Sequence, residues 1–172
     1  MVRAMFPGTF DPVHYGHIDI ARRAAKLFDE IYIAVYDKPL KSLLFSPEER
    51  ISLVKEAFKT DSKMHVVGYS GLTVNMAKEI NAQVIVRGLR VFSDFEFEFR
   101  MALANHRLDE GIETVSFITN EEHTFISSST VREIASLGGD VSSMVPAHVN
   151  AALNLKVAGM HDSQLPPNAL RD

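Results

Sequence analysis

Apolar, β-branched runs alternate with helical periodicity along most of the chain. Five runs, at 2–6, 31–36, 65–68, 83–87 and 114–118, read as strands, and helical patterns fill the intervals near 16–28, 47–59, 73–81, 94–108 and 130–137. Such alternation implies right-handed βαβ crossovers. The expected fold is one α/β, Rossmann-like domain, a five-stranded parallel sheet with helices on both faces. Ligands of such sheets bind outside the carboxyl ends of the strands, near a switch in strand order. The first and fourth strands both end in unusual turns, Pro7-Gly8-Thr9 and Arg87-Gly88-Leu89-Arg90. These two strands are therefore expected to be neighbours that flank the site.

Ser46-Pro47-Glu48-Glu49 marks a helix start, with an N-cap serine, proline at the first helical position and glutamate at the third. Ser93 and Glu96 read as a second capping box. The stretch Phe95-Glu96-Phe97-Glu98-Phe99 alternates as a strand does, yet the cap before it and Met101-Ala102-Leu103-Ala104 after it favour a helix with phenylalanines on two faces. A helix of that kind is deeply buried or packs on another subunit. After about residue 155 the pattern decays. The expected division is a domain over 1–158 and a polar, proline-containing, mobile tail over 159–172.

Candidate chemistry concentrates in Phe6-Pro7-Gly8-Thr9-Phe10-Asp11-Pro12-Val13-His14-Tyr15-Gly16-His17. A glycine-containing turn from a strand into a helix exposes backbone N–H groups to an anion. His14 and His17, three apart, suggest phosphate chemistry assisted by imidazole. They also fit a surface pair or a metal site, but the chain has no cysteine and no acidic ligand stands at helical spacing. Thr9 satisfies a turn or places a hydroxyl between phosphates, and Asp11 caps the turn. Arg87 and Arg90 flank a glycine at the expected binding edge, a pattern suited to phosphate. Lys41 lies in the loop after the second strand. Ile126-Ser127-Ser128-Ser129-Thr130 opens a helix with a row of hydroxyls, an N-cap or a second anion site.

Composition narrows the class. At 172 residues, 46% hydrophobic and 23% charged, this is an ordinary globular chain that can bury one core. A net charge of −4 argues against broad nucleic-acid binding but not against a small anion. The N-terminus has no export signal pattern, and no apolar run suffices to cross a bilayer. Walker A, G-x-G-x-x-G and nucleophile-elbow patterns are lacking.

Residues 6–12, followed by His14-x-Gly16-His17, resemble the nucleotidyltransferase superfamily with the T/HxGH signature, and 126–130 match its serine-rich partner motif. Arg87-Gly88-Leu89-Arg90, Asp94-Phe95-Glu96-Phe97-Glu98, Asn105 and Phe125-Ile126-Ser127-Ser128-Ser129 extend the resemblance, collinear over about 3–155, to the bacterial phosphopantetheine adenylyltransferase family. That resemblance implies transfer of the adenylyl group of ATP to 4′-phosphopantetheine, giving dephospho-coenzyme A and pyrophosphate, with Mg2+ held mainly through ATP phosphates and water. It implies a cytoplasmic homo-oligomer, a hexamer, without nucleic-acid or membrane partners. Thr9, Lys41, Thr73 and Arg87 would meet phosphopantetheine. Thr9, Phe10, His17, Gly88, Leu89, Arg90, Glu98, His123, Thr124, Phe125, Ile126, Ser127, Ser128 and Ser129 would meet ATP. His17, Lys41 and Thr9 would act on the reacting phosphate. Phe6 stands where the family often has tyrosine, and Gly71 where it is often acidic. The rival readings are a related nucleotidyltransferase for nicotinamide mononucleotide or glycerol phosphate, and a nucleotide-binding regulator without catalysis.

Overall fold

The computed structural model describes residues 1–37 and 43–161, with backbone alone for 160 and 161. Five strands, β1 (Arg3–Gly8), β2 (Glu30–Tyr36), β3 (Met64–Tyr69), β4 (Val84–Leu89) and β5 (Glu113–Ile118), form one sheet in the order β3-β2-β1-β4-β5. All neighbours are parallel. The helices are α1 (Tyr15–Ala24), α2 (Pro47–Ala57), α3 (Thr73–Glu79), α4 (Phe92–Leu108), α5 (Ser128–Ser136) and α6 (Ala147–His161).

Side-chain alternation along the strands feeds two layers. Ala4, Phe6, Ile31, Ile33, Val35, Val84 and Val86 pack with α1, α2, α5 and α6, and Met5, Ala34 and Ile85 pack with α3. The sheet is thus covered on both faces, as a parallel sheet must be.

The strand order switches between β1 and β4. β1 pairs with β2 over six residues but with β4 only at Ala4↔Val84 and Met5↔Ile85. Pro7 explains part of the separation. Its carbonyl faces the β4 side, where it accepts from Arg87 Nη1 at 3.0 Å, and proline has no N–H to add there. The two strands therefore part toward their carboxyl ends and open a cleft between Gly8 and Gly88.

Two features depart from the sequence-based expectation. The segment 95–99 is helical, but α4 starts at Phe92 with Val91 as N-cap, and no side chain caps it. Ser93 is already inside the first turn, so the box with Glu96 does not form. Glu96 pairs with Arg100, and the Asp94 carboxylate accepts the Arg90 N–H instead. The pattern at the C-terminus missed α6, whose buried Val149 and Leu153 complete the larger core cluster. That helix carries the chain through His161, and the remainder of the expected tail lies outside the described residues, as does Lys41.

Candidate active site

The turn after β1 is built from buried polar contacts. Phe10 has φ 52° and Asp11-Pro12 is a cis peptide. The Asp11 carboxylate, 1% exposed, accepts the N–H groups of Leu44 and Phe45, both at 2.9 Å. Arg132 Nη1 donates to the Asp11 carbonyl at 2.6 Å and lies 3.4 Å from its carboxylate. Arg50, fully buried, donates to the Thr9 carbonyl at 2.7 Å. The Thr9–Phe10 peptide is trans, so its N–H points opposite to that carbonyl. Phe10 lines the cleft, and its N–H meets no acceptor among the described residues.

His14 caps α1, and the two histidines form a reciprocal capping box. His17 N–H donates to His14 Nδ1 at 3.4 Å, and His14 N–H donates to His17 Nδ1 at 3.3 Å. Their rings stack with centroids 3.6 Å apart. Gly16 permits this, because a Cβ there would stand 3.1 Å from the His14 ring. With Nδ1 accepting, the proton of neutral His17 resides on Nε2. Burial, then the guanidinium groups of Arg90 and Arg87, pushes the His17 pKa down to about 3. His14 also lies well below the usual histidine range, first through burial and then through His17, Arg90 and His123. His17 is therefore a neutral imidazole that presents only a donor. Phe10 and Phe6 flank its ring edge-on, with centroids 4.9 and 6.3 Å away.

At the end of β4, Arg87 makes a bidentate ion pair with Glu98 of α4, Nε at 2.6 Å and Nη2 at 2.7 Å. Arg90 is held by Asp94 at 3.1 Å and reaches the Ile126 carbonyl at 3.4 Å. Gly88 allows β4 to run against α1, since a Cβ there would meet Ile20 Cδ1 at 2.4 Å. At the start of α5, Ser127 accepts the Thr130 N–H at 3.0 Å, and the Ser128 hydroxyl donates to the Pro12 carbonyl at 2.9 Å. These bonds tie a helix N-terminus to the histidine turn. The N–H groups of Ser128 and Ser129 meet no acceptor among the described residues.

Two clefts meet here. The first, about 340 Å³, is lined by Thr9, Phe10, His17, Gly88, Arg90, Glu98, His123, Ile126 and Ser128 among the expected residues. The second, about 510 Å³, is lined by Thr9, Thr73 and Arg87 together with apolar Leu72, Phe97, Met101 and Leu108, and by Asn105. Thr9, Arg87 and Glu98 belong to both. Leu89, Thr124, Phe125, Ser127 and Ser129 line neither, and Phe125 is largely exposed. Sequence reasoning passed over Thr119 and Thr114. Each carries a buried hydroxyl without a hydrogen-bond partner among the described residues, Thr119 in the first cleft and Thr114 in the second. Orphan polar atoms at cleft walls suit a polar ligand. Arg50 and Arg132 were passed over as well, because their partners are far away in sequence.

The cytidylyltransferase-like family model matches residues 5–134. A phosphopantetheine adenylyltransferase of Roseiflexus sp. (strain RS-1) is 51% identical over 153 residues, covering 89% of this chain and 96% of that protein. One of Gloeobacter violaceus is 47% identical over 156 residues, covering 91% and 97%. One of Methylococcus capsulatus is 48% identical over 158 residues, covering 92% and 98%. With the T/HxGH turn, the serine-started helix and the paired clefts in one frame, this chain belongs to the cytidylyltransferase-like family and, within it, to the phosphopantetheine adenylyltransferases.

Proposed function

We propose that this protein transfers the adenylyl group of ATP to 4′-phosphopantetheine, releasing pyrophosphate and forming dephospho-coenzyme A. The observation that carries the reading is the meeting of a polar and a largely apolar cleft at Thr9, Arg87 and Glu98, beside a neutral His17. The polar cleft suits a nucleotide triphosphate. The other suits an acceptor whose phosphate reaches Arg87 and whose extended arm lies along α3 and α4.

A phosphomonoester carries about −1.5 to −2 charge near neutral pH and needs no base to become a nucleophile. Its oxygen attacks the α-phosphorus in line and pyrophosphate leaves. The barrier lies in bringing anions together and in charge that builds on the α-phosphate, so positioning and preorganised donors supply the catalysis. His17 cannot serve as a base, since Nδ1 is occupied and Nε2 is protonated. It donates from Nε2 to the α-phosphate, alongside the Phe10 N–H. Thr9 offers its hydroxyl between the two phosphates. Arg87, oriented by Glu98, holds the acceptor phosphate, and Arg90 with the N–H groups of Ser128 and Ser129 holds the pyrophosphate end. Lys41 is assigned to the α-phosphate by the family resemblance.

The described residues offer no group of three or more His, Asp or Glu for a metal ion. Near the cleft, Asp11, Asp94 and Glu98 are committed to N–H donors and arginines. A protein cage for Mg2+ does not fit this site. The ion would arrive on nucleotide oxygens and waters, in keeping with its reluctance to lose water.

The exposed Phe92, Phe95, Phe99 and Leu103 of α4 support self-association; the hexameric state and the cytoplasmic location rest on the family resemblance. No helix among the described residues is long and apolar enough to cross a membrane. The deciding experiment measures pyrophosphate release with ATP and phosphopantetheine, with acceptor omitted as control, against nicotinamide mononucleotide and glycerol phosphate. Release that depends on phosphopantetheine alone is expected. Release with another acceptor, or none with any, overturns the reading.

A further inference from the structure

Phe10 stands at φ 52°, in the left-handed region that a residue with a Cβ disfavours. A flip of the Thr9–Phe10 peptide would carry this φ to negative values, as between type II and type I turns, and would suit phenylalanine better. It would also turn the Thr9 carbonyl, in place of the Phe10 N–H, toward a bound anion. A conformation of this kind persists only where its surroundings over-determine it. Here two buried guanidinium groups do so, one on each flank of Phe10. Arg50 Nη1 donates to the Thr9 carbonyl at 2.7 Å, and Arg132 Nη1 donates to the Asp11 carbonyl at 2.6 Å. Arg50 is fully buried and Arg132 nearly so. Each is anchored from elsewhere in the fold. Arg50 also donates to the carbonyls of Tyr36 at 2.7 Å, Phe45 at 3.3 Å and Asp37 at 3.4 Å. Arg132 belongs to α5, whose start is tied to the same turn by the bond from Ser128 to the Pro12 carbonyl. The Phe10 ring closes the third side. It stands edge-on to Phe6 with centroids 5.7 Å apart, and a Cβ at Gly8 would lie 3.0 Å from it.

We propose that Arg50 and Arg132 are positioning residues for the Phe10 N–H. By holding the carbonyls on both flanks of Phe10, they keep the turn left-handed and its N–H aimed at one non-bridging oxygen of the α-phosphate. The proposal rests on the donor role given to the Phe10 N–H above. The part of both arginines in the reaction runs through the main chain. Lysine at either position keeps the charge but lacks the planar fork that fixes a carbonyl among several partners.

The test compares single-turnover rates of pyrophosphate release at saturating phosphopantetheine, in the parent protein and in Arg50→Lys. The nucleotides are ATP and the two ATP diastereomers that carry sulfur on the α-phosphate. Folding is checked by circular dichroism and thermal melting. With ATP, Arg50→Lys is expected to lower the rate by about 10²-fold, the cost of losing one donor to developing charge. Sulfur accepts a hydrogen bond only weakly. In one diastereomer sulfur replaces the oxygen that faces the N–H, and the bond is lost before the substitution is made. With that nucleotide Arg50→Lys is expected to cost about tenfold less than with ATP. With the other diastereomer the full loss is expected. The preference of magnesium for oxygen over sulfur enters both proteins alike and cancels in each ratio. An equal loss with all three nucleotides overturns the proposal and leaves Arg50 a structural residue. No loss with ATP overturns it as well. Absence of phosphopantetheine-dependent release from the parent protein overturns the proposed function, and this proposal with it. If Arg50→Lys does not fold, Arg132→Lys takes its place under the same criterion.

Discussion

At the scale of single residues, the site is a set of donors whose protonation is fixed by burial. His17 is neutral at all physiological pH values, so its removal takes away a hydrogen bond to developing charge and not a proton acceptor. His17→Ala is expected to lower kcat about 10²–10³-fold, with ATP binding weakened far less; steady-state kinetics check this. The same burial has a consequence for stability. The native pKa is about 3 and the unfolded value is near 6.5. Above pH 6.5 the imidazole is neutral in both states and costs nothing. As pH falls from 6.5 toward 3, the unfolded chain takes up a proton that the native state refuses, so stability falls with acid. The slope approaches about 1.4 kcal/mol per pH unit for this group. Between pH 7.5 and 5 the ligand-free protein should lose about 2 kcal/mol that His17→Asn does not lose. That is roughly 4–8 °C in melting temperature for a chain of this size, read at fixed protein concentration. An equal acid response in protein and variant would contradict the buried neutral state. At Arg87, the ion pair with Glu98 adds to what the sequence suggested. Arg87→Ala removes a phosphate partner and also leaves a carboxylate uncompensated at the junction of the clefts. Acceptor affinity should fall about 10- to 150-fold, more than ATP affinity, as titration of each ligand would show.

At the scale of elements, the sequence exposed what is local and hid what is not. All five strands and the two glycine turns were legible because hydrophobic period and turn chemistry are written in neighbouring residues. The histidine pair was legible as a constellation, although its role as a reciprocal helix cap depends on the geometry of the turn. The start of α4 was misread because Asp94, which outcompetes the Ser93 box, is recruited by Arg90 of the preceding strand end. The helix α6 was missed because its apolar residues form no narrow stripe. Arg50 and Asp11 were illegible as a pair, since they act between segments that meet only after β1, β2 and α2 are assembled. The approach of β4 to α1 at Gly88 yields its own test. A Cβ at position 88 would overlap Ile20 Cδ1 at 2.4 Å, so Gly88→Ala should destabilise the protein by about 1–3 kcal/mol. Ile20→Val removes that Cδ1 atom, and the double variant should recover most of the loss in denaturant melts. Additive losses would show that β4 and α1 are not in this register.

At the scale of the whole molecule, α4 presents two different faces. Phe97, Met101 and Leu108 line the second cleft. Phe92, Phe95, Phe99 and Leu103 follow one another at helical spacing on another stripe, with the rings of 92, 95 and 99 in succession 6.4 and 5.7 Å apart. Phe92 is 92% exposed and Leu103 56% exposed in the single chain. Full burial of one such side chain is worth about 1.5–3 kcal/mol, and contiguous apolar stripes of this kind mark association surfaces. The same helix carries Glu98, which orients Arg87, so association through α4 would also steady the acceptor cleft. Phe95→Asp combined with Phe99→Asp should therefore do two things. Light scattering at micromolar concentration should show a shift from oligomer toward the 19.2 kDa chain. The KM for phosphopantetheine should rise more than that for ATP, because α4 lends Phe97, Met101, Asn105 and Leu108 to the second cleft but only Glu98 to the first. A parent protein that is monomeric under these conditions, or a monomeric variant with both KM values unchanged, would separate α4 from assembly or assembly from the acceptor site.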